Sequence, residues 1–131
     1  MGTWLINKDA VTVSPQVDDD LIMDFISFCV GHNPYEDIDE CFPCTWFFTK
    51  DNKLTSYSGK FAEPSVWYKL LVKDFFKPRG YNVGKPEIIS DMNPVEFGKL
   101  NSSRIEEFID WKLRILEIAA KRCGLLEEGR T

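Results

Sequence analysis

"CTWFFTKDNKLTSYSG", residues 44–59, places two β-rich runs on either side of a short polar step. Aromatic and β-branched side chains suit a pleated, half-buried backbone. Asp51 and Asn52 supply turn chemistry, because short polar side chains bond to nearby backbone and tolerate left-handed dihedrals. The stretch therefore predicts a β-hairpin, with 44–50 as one strand and 53–59 as its return. A hairpin of this apolarity must be covered, so the flanking segments decide the fold.

Upstream, residues 3–8 and 11–14 are short and β-rich, and fit one bent strand or a small hairpin. Asp18 then reads as a helix N-cap, with Asp19 and Asp20 in the first turn where the helix dipole favours carboxylates. Leu21, Ile22, Phe25, Ile26 and Cys29 repeat at helical spacing, and Gly31 with Asn33-Pro34 ends the run. Downstream, Glu63-Pro64 opens a second helix with Pro64 at the first helical position. Val66, Trp67, Leu70, Leu71 and Phe75 form its inward face. Lys69, Lys73 and Lys77 form its solvated face, and Pro78 and Gly80 end it. Residues 81–90 read as an extended segment interrupted near Gly84 and Pro86, which places it at a sheet edge. Residues 95–100 read as a further short strand after a break at Met92-Asn93-Pro94. Ser103 and Glu106 fit a capping box opening a last helix that runs to about Arg122, with Gly124 as its cap. The apolar set of that helix (Ile105, Phe108, Ile109, Trp111, Ile115, Leu116, Ile118, Ala119, Ala120) spans more than one face. The helix is then either deeply packed or paired with a second copy of the chain.

This order is strand, helix, strand, strand, helix, strand, helix. It predicts an α+β fold, a ferredoxin-like split βαβ antiparallel sheet over about 3–100 with an added C-terminal helix over about 103–123. The 131 residues fit a single domain, 1–131. Such a fold hosts enzymes, RNA binders and assembly proteins alike, so it does not name a function.

Composition narrows the classes. Hydrophobic residues make up 44%, enough for a packed core. No apolar run reaches the roughly 20 residues needed to span a bilayer. "MGTWLINKDA" lacks the basic and apolar regions of a signal peptide, so the expected location is the cytoplasm, where thiols stay reduced. The net charge of −5 argues against phosphate-backbone binding and favours a partner with a basic surface.

The cysteines carry the sharpest motif. Cys29-x-x-His32 precedes Cys41-x-x-Cys44, and His32 is the single histidine of the chain. A Cys₃His set suits tetrahedral zinc, and two-residue spacers let both members of each pair reach one ion. Cys29, His32, Cys41 and Cys44 are thus candidate ligands of a structural zinc. The alternative is that the thiols pack as small hydrophobes. A thioredoxin-type role for Cys41 and Cys44 is disfavoured, because that chemistry needs a helix N-terminus after the motif, and a strand follows instead.

Other signals are weaker. Residues 80–85, "GYNVGK", fail the phosphate-loop pattern in spacing and in the proline that follows. On an open sheet face Phe47 and Tyr57 would stack bases, which keeps a nucleic-acid-binding domain as an alternative; covering by the last helix is preferred. Glu36, Asp37, Asp39 and Glu40 lack the calcium-loop pattern. Serine elbows and HExxH are absent, so catalysis would need a cryptic carboxylate pair, and no catalytic residue is assigned.

Residues 59–88 resemble a segment of small acidic proteins of bacteriophages and mobile elements, through Gly59, Lys60, Trp67, Phe75, Phe76, Pro78, Gly80 and Tyr81. The matching residues are structural, so the resemblance carries over no catalytic residue. Taken with the small size, the acidity and the missing catalytic motifs, it points to a non-enzymatic protein-binding module, an accessory or anti-defence protein acting on a basic host surface.

Overall fold

The predicted hairpin forms with its turn at the expected place. In the computed structural model, which describes residues 5–32, 34, 44–58 and 64–124, β3 (Trp46–Phe48) pairs antiparallel with β4 (Leu54–Ser56). Asn52 takes a positive φ of 60°, and the Thr49 amide donates to the Lys53 carbonyl at 2.7 Å. All six strand residues are buried. Trp46 meets Tyr68 on one side, and its indole N–H donates to the Pro64 carbonyl at 2.8 Å. Phe47 points the other way, to Phe108. A hairpin covered on both faces reads as a continuous apolar run without alternation.

The remaining strands are very short. β1 (Ile6–Asn7) pairs with β6 (Ile88–Ile89), and β2 (Val13–Ser14) with β5 (Asn82–Val83), both antiparallel. Val11 bridges to Leu54 with two backbone hydrogen bonds of 2.8 and 2.9 Å, tying the 6–14 segment to the hairpin. Among the described residues the architecture is thus α+β, with three two-stranded antiparallel pairs and three α-helices. At Gly84 the chain runs so close to residues 11 and 12 that a Cβ would stand 3.3 Å from the Thr12 amide nitrogen. That approach explains the break between β5 and β6.

The first helix, α1 (Asp19–Gly31), begins and ends as its sequence predicts. The Asp18 carboxylate accepts from the Leu21 amide at 2.9 Å. α2 (Pro64–Leu70) continues into a π-turn over Leu71–Phe76 and a 3₁₀ turn over Lys77–Arg79, closed by Gly80 at φ 78°. The wider turn brings Leu71, Phe75 and Phe76 inward together, where α-helical spacing assigns only Leu71 and Phe75.

The last helix departs most from expectation. α3 runs from Pro94 to Arg122, so residues 95–100 are helical and form no strand. Asn93 is the true N-cap, accepting from the Val95 amide at 2.8 Å, and Pro94 takes the first helical position. Ser103 and Glu106 lie inside the helix, so the capping box does not operate. The predicted end holds, with Gly124 at φ 75° donating to the Lys121 carbonyl. Among the described residues no helix is long and apolar enough to cross a membrane.

Candidate functional site

Two of the four candidate zinc ligands come together. Cys29, on α1, is hydrogen-bonded to Cys44, two residues before β3, and the Cys44 thiol also donates to the Trp46 carbonyl at 3.7 Å. Both residues are half-buried against the core. The hydrogen bond to Cys44, with burial second, pushes the Cys29 thiol far above its ordinary range. Cys29 therefore stays protonated at neutral pH unless a cation replaces the proton. His32 is exposed at the end of α1. Its Nδ1–H donates to the Phe28 carbonyl at 2.9 Å and its ring stacks on Phe28 at 3.9 Å. In the neutral ring this leaves Nε2 with the free lone pair. Cys41 and the acidic 36–40 loop lie outside the described residues. Among the described residues no three metal-binding side chains converge.

A second concentration of polar atoms was not legible in the sequence. Arg104, only 5% exposed, reaches from α3 into the strands. Its Nη1 donates to Asn7 Oδ1 at 2.9 Å and to the Ser56 carbonyl at 2.8 Å. Its Nη2 donates to the Asn7 and Lys8 carbonyls, both at 2.8 Å. Asn7 in turn donates to Thr55 Oγ1 and the Asp9 carbonyl, and accepts from the Ser56 amide. Burial lowers the Arg104 pKa, while Glu107 and Asp9 oppose that shift. Every donor drawn on here is answered by a fixed acceptor, so the network braces the fold and offers no ligand an opening. No described buried side-chain polar atom lacks a partner.

The outer face of α3 is the surface that most needs explaining. Trp111 and Ile118 are buried, but Ile105, Ile109, Leu113 and Leu116 are 41%, 52%, 59% and 64% exposed. Their spacings of four, four and three residues put them on one helical stripe, pointing away from the strands. Glu106, Asp110 and Glu117 border the stripe on one side, and Lys112 on the other; all four are exposed. Beyond the acidic border lies a groove of about 580 Å³ between α3 and the β3–β4 turn. Its walls include Asp51, Glu107, Asp110 and Glu117 together with Lys50, with Trp111 at its base and Leu113 shared with the stripe. Arg114 also lines it, but its guanidinium is committed to the Asn52 side chain at 2.8 Å and the Thr49 carbonyl at 3.3 Å.

Of the rings considered for base stacking, Phe47 is covered and Tyr57 is half-buried. Phe47 is fully buried, and Phe108 lies 5.5 Å from it and 4.7 Å from Tyr57. Lys69, Lys73 and Lys77 are all exposed, as a solvated helix face would be. No protein-family model, curated protein or solved structure matches this chain.

Proposed function

We propose that this chain is a non-catalytic protein-binding module whose docking surface is the outer face of α3. The observation that carries the proposal is the stripe Ile105, Ile109, Leu113 and Leu116, held exposed on a helix whose opposite side is packed. Contiguous apolar surface bordered by charge is characteristic of interaction sites. In this reading the module is cytoplasmic, belongs to a bacteriophage or mobile element, and docks on a basic host protein. Affinity capture should retain a host protein with the parent chain and lose it with the Ile109→Asp/Leu113→Asp double variant. Identical proteins retained by both chains would remove the α3 face from the function.

The strand pairings support the finer architectural reading. The 82–89 segment lies beside 6–14, which bridges to β4, which pairs with β3. That is the order expected of a split βαβ sheet, and we read the fold as a ferredoxin-like relative with short strands.

A second reading rests on the hydrogen-bonded thiols of Cys29 and Cys44. These two would form half of a structural zinc clip, completed by His32 and Cys41. Protein purified without chelator is then expected to carry about one zinc per chain. Cys29 and Cys44 should resist alkylation until EDTA is added, while exposed Cys123 reacts at once. A zinc-free protein whose thermal unfolding ignores EDTA would dispose of this reading.

A further inference from the structure

We infer that the partner presents an amphipathic helix with a basic edge. Its apolar side would lie along the α3 stripe, and a lysine or arginine side chain would enter the acidic groove. The inference rests on the proposed docking role of α3 and adds the chemistry of what docks there.

Three observations select this occupant. First, the stripe is long and narrow. From Ile105 to Leu116 it extends about 17 Å at the helical rise per residue, a shape that matches another helix laid lengthwise. Second, its borders are unequal. Three carboxylates stand on one side and a single lysine on the other. Lys112 is also held over the Phe108 ring at 4.7 Å. Third, the acidic border continues into a groove with four carboxylates. Glu117 is paired with Lys121 at 3.5 Å, while Asp51 and Asp110 have no ion pair among the described residues. Two cations face these four carboxylates: Arg114, whose guanidinium is turned to the hairpin, and Lys50, exposed at the groove's rim, so the acids stay in excess. A flexible cationic side chain from outside can snorkel past Leu113, keep its methylenes on apolar surface and place its charge among these acids.

The same borders count against a second copy of the chain. Two α3 helices packed antiparallel about a twofold axis set acidic border on acidic border and Lys112 on Lys112. Packed parallel, they oppose three carboxylates with one lysine. Each copy also carries a net charge of −5. The antiparallel pair is repulsive and the parallel pair leaves most of the carboxylates unanswered, whereas a basic helix answers all three.

The test uses the full chain and two synthetic helical peptides with the same leucine spacing. One carries lysine and arginine along one border of the leucines, and its twin carries glutamate there. The basic peptide is expected to bind at least about tenfold more tightly than the twin, with affinity falling as salt rises. Ile109→Asp and Leu113→Asp should each weaken it by about tenfold or more. Asp110→Asn/Glu117→Gln should weaken the basic peptide and leave the twin unchanged. Amide shift mapping on the parent chain keeps the test independent of the variants' folding: the shifted residues should be those of the stripe and groove. Equal binding of the two peptides, or shifts elsewhere, would overturn the inference. Sedimentation velocity supplies the other arm. Self-association abolished by Leu113→Asp would replace the basic helix with a second copy and leave α3 as the docking face. A monomer that binds neither peptide overturns both the inference and the docking role.

Discussion

Arg104→Met is expected to be among the most damaging single substitutions in the chain, costing about 2–4 kcal/mol of stability. The guanidinium is buried and makes four hydrogen bonds, three of them to backbone carbonyls of Asn7, Lys8 and Ser56. Methionine approximates its length and keeps much of the packing against the strands. It returns none of the hydrogen bonds, so three carbonyls lose a charged donor in a place water reaches poorly. Against this loss stands the relief of no longer burying a cation, which keeps the expected cost below the sum of four charged hydrogen bonds. In a chain of this size the change corresponds to a fall in Tm of about 10 °C. Arg104→Lys should recover less than half, since one ammonium cannot reproduce a planar fork that spans two strands. Arg122→Ala is the contrast: its bond to Asp20 is exposed on both sides and its loss should leave the denaturation midpoint unmoved. Urea titration decides among these, with the slope unchanged if the denatured state is unaffected. A midpoint for Arg104→Met equal to that of the parent would mean that the network is ornamental.

Arg104 also marks where sequence reading stops. Signals that act within a few residues were legible: the Asp18 cap, the Asp51-Asn52 turn, Pro64 opening α2, and Gly124 closing α3. Each depends on a local backbone group that the side chain can reach. Ser103-Arg104-Ile105-Glu106 satisfied a local rule and yet failed, because Asn93-Pro94 had already opened the helix ten residues earlier and Gly98 was tolerated inside it. The partners of Arg104 lie 48 and 96 or 97 residues away, beyond any spacing rule. The apolar excess of α3 was visible, but two outcomes fitted it, burial or pairing with a second copy of the chain. Only the packed position of Trp111 and Ile118 separates the stripe from the core side. The cysteine spacing likewise proposed a meeting of four side chains, of which the described residues bring two together. Spacing states what a turn permits; it does not fix where α1 ends relative to β3.

Phe25→Ala should exceed even Arg104→Met, at about 3–5 kcal/mol. Phe25 is 1% exposed and is the residue through which the covering elements meet. Its ring lies 5.1 Å from Phe48 of the hairpin, 5.5 Å from Phe75 and 6.2 Å from Phe76 of the π-turn, and 6.1 Å from Trp111 of α3. Three of these four contacts are edge-on, the arrangement in which the positive ring edge meets a negative face. Alanine removes the ring and leaves a void walled by large, rigid side chains on different elements. Such walls close in poorly, since moving one displaces its neighbours, and the cavity cost is then added to the lost transfer energy. Phe25→Leu should cost distinctly less, about 1–2 kcal/mol, by filling most of the volume while losing the edge contacts. Denaturant titration gives the magnitudes. Near-ultraviolet circular dichroism gives the location, because Trp111 loses a neighbouring ring in both variants while Trp46 keeps Tyr68. If Phe25→Ala unfolds with the parent midpoint, α1 is not fastened to the hairpin through this ring. The support beneath the outer face of α3 would then rest on the Arg104 network and on the contacts of Phe108 and Arg114 with the hairpin.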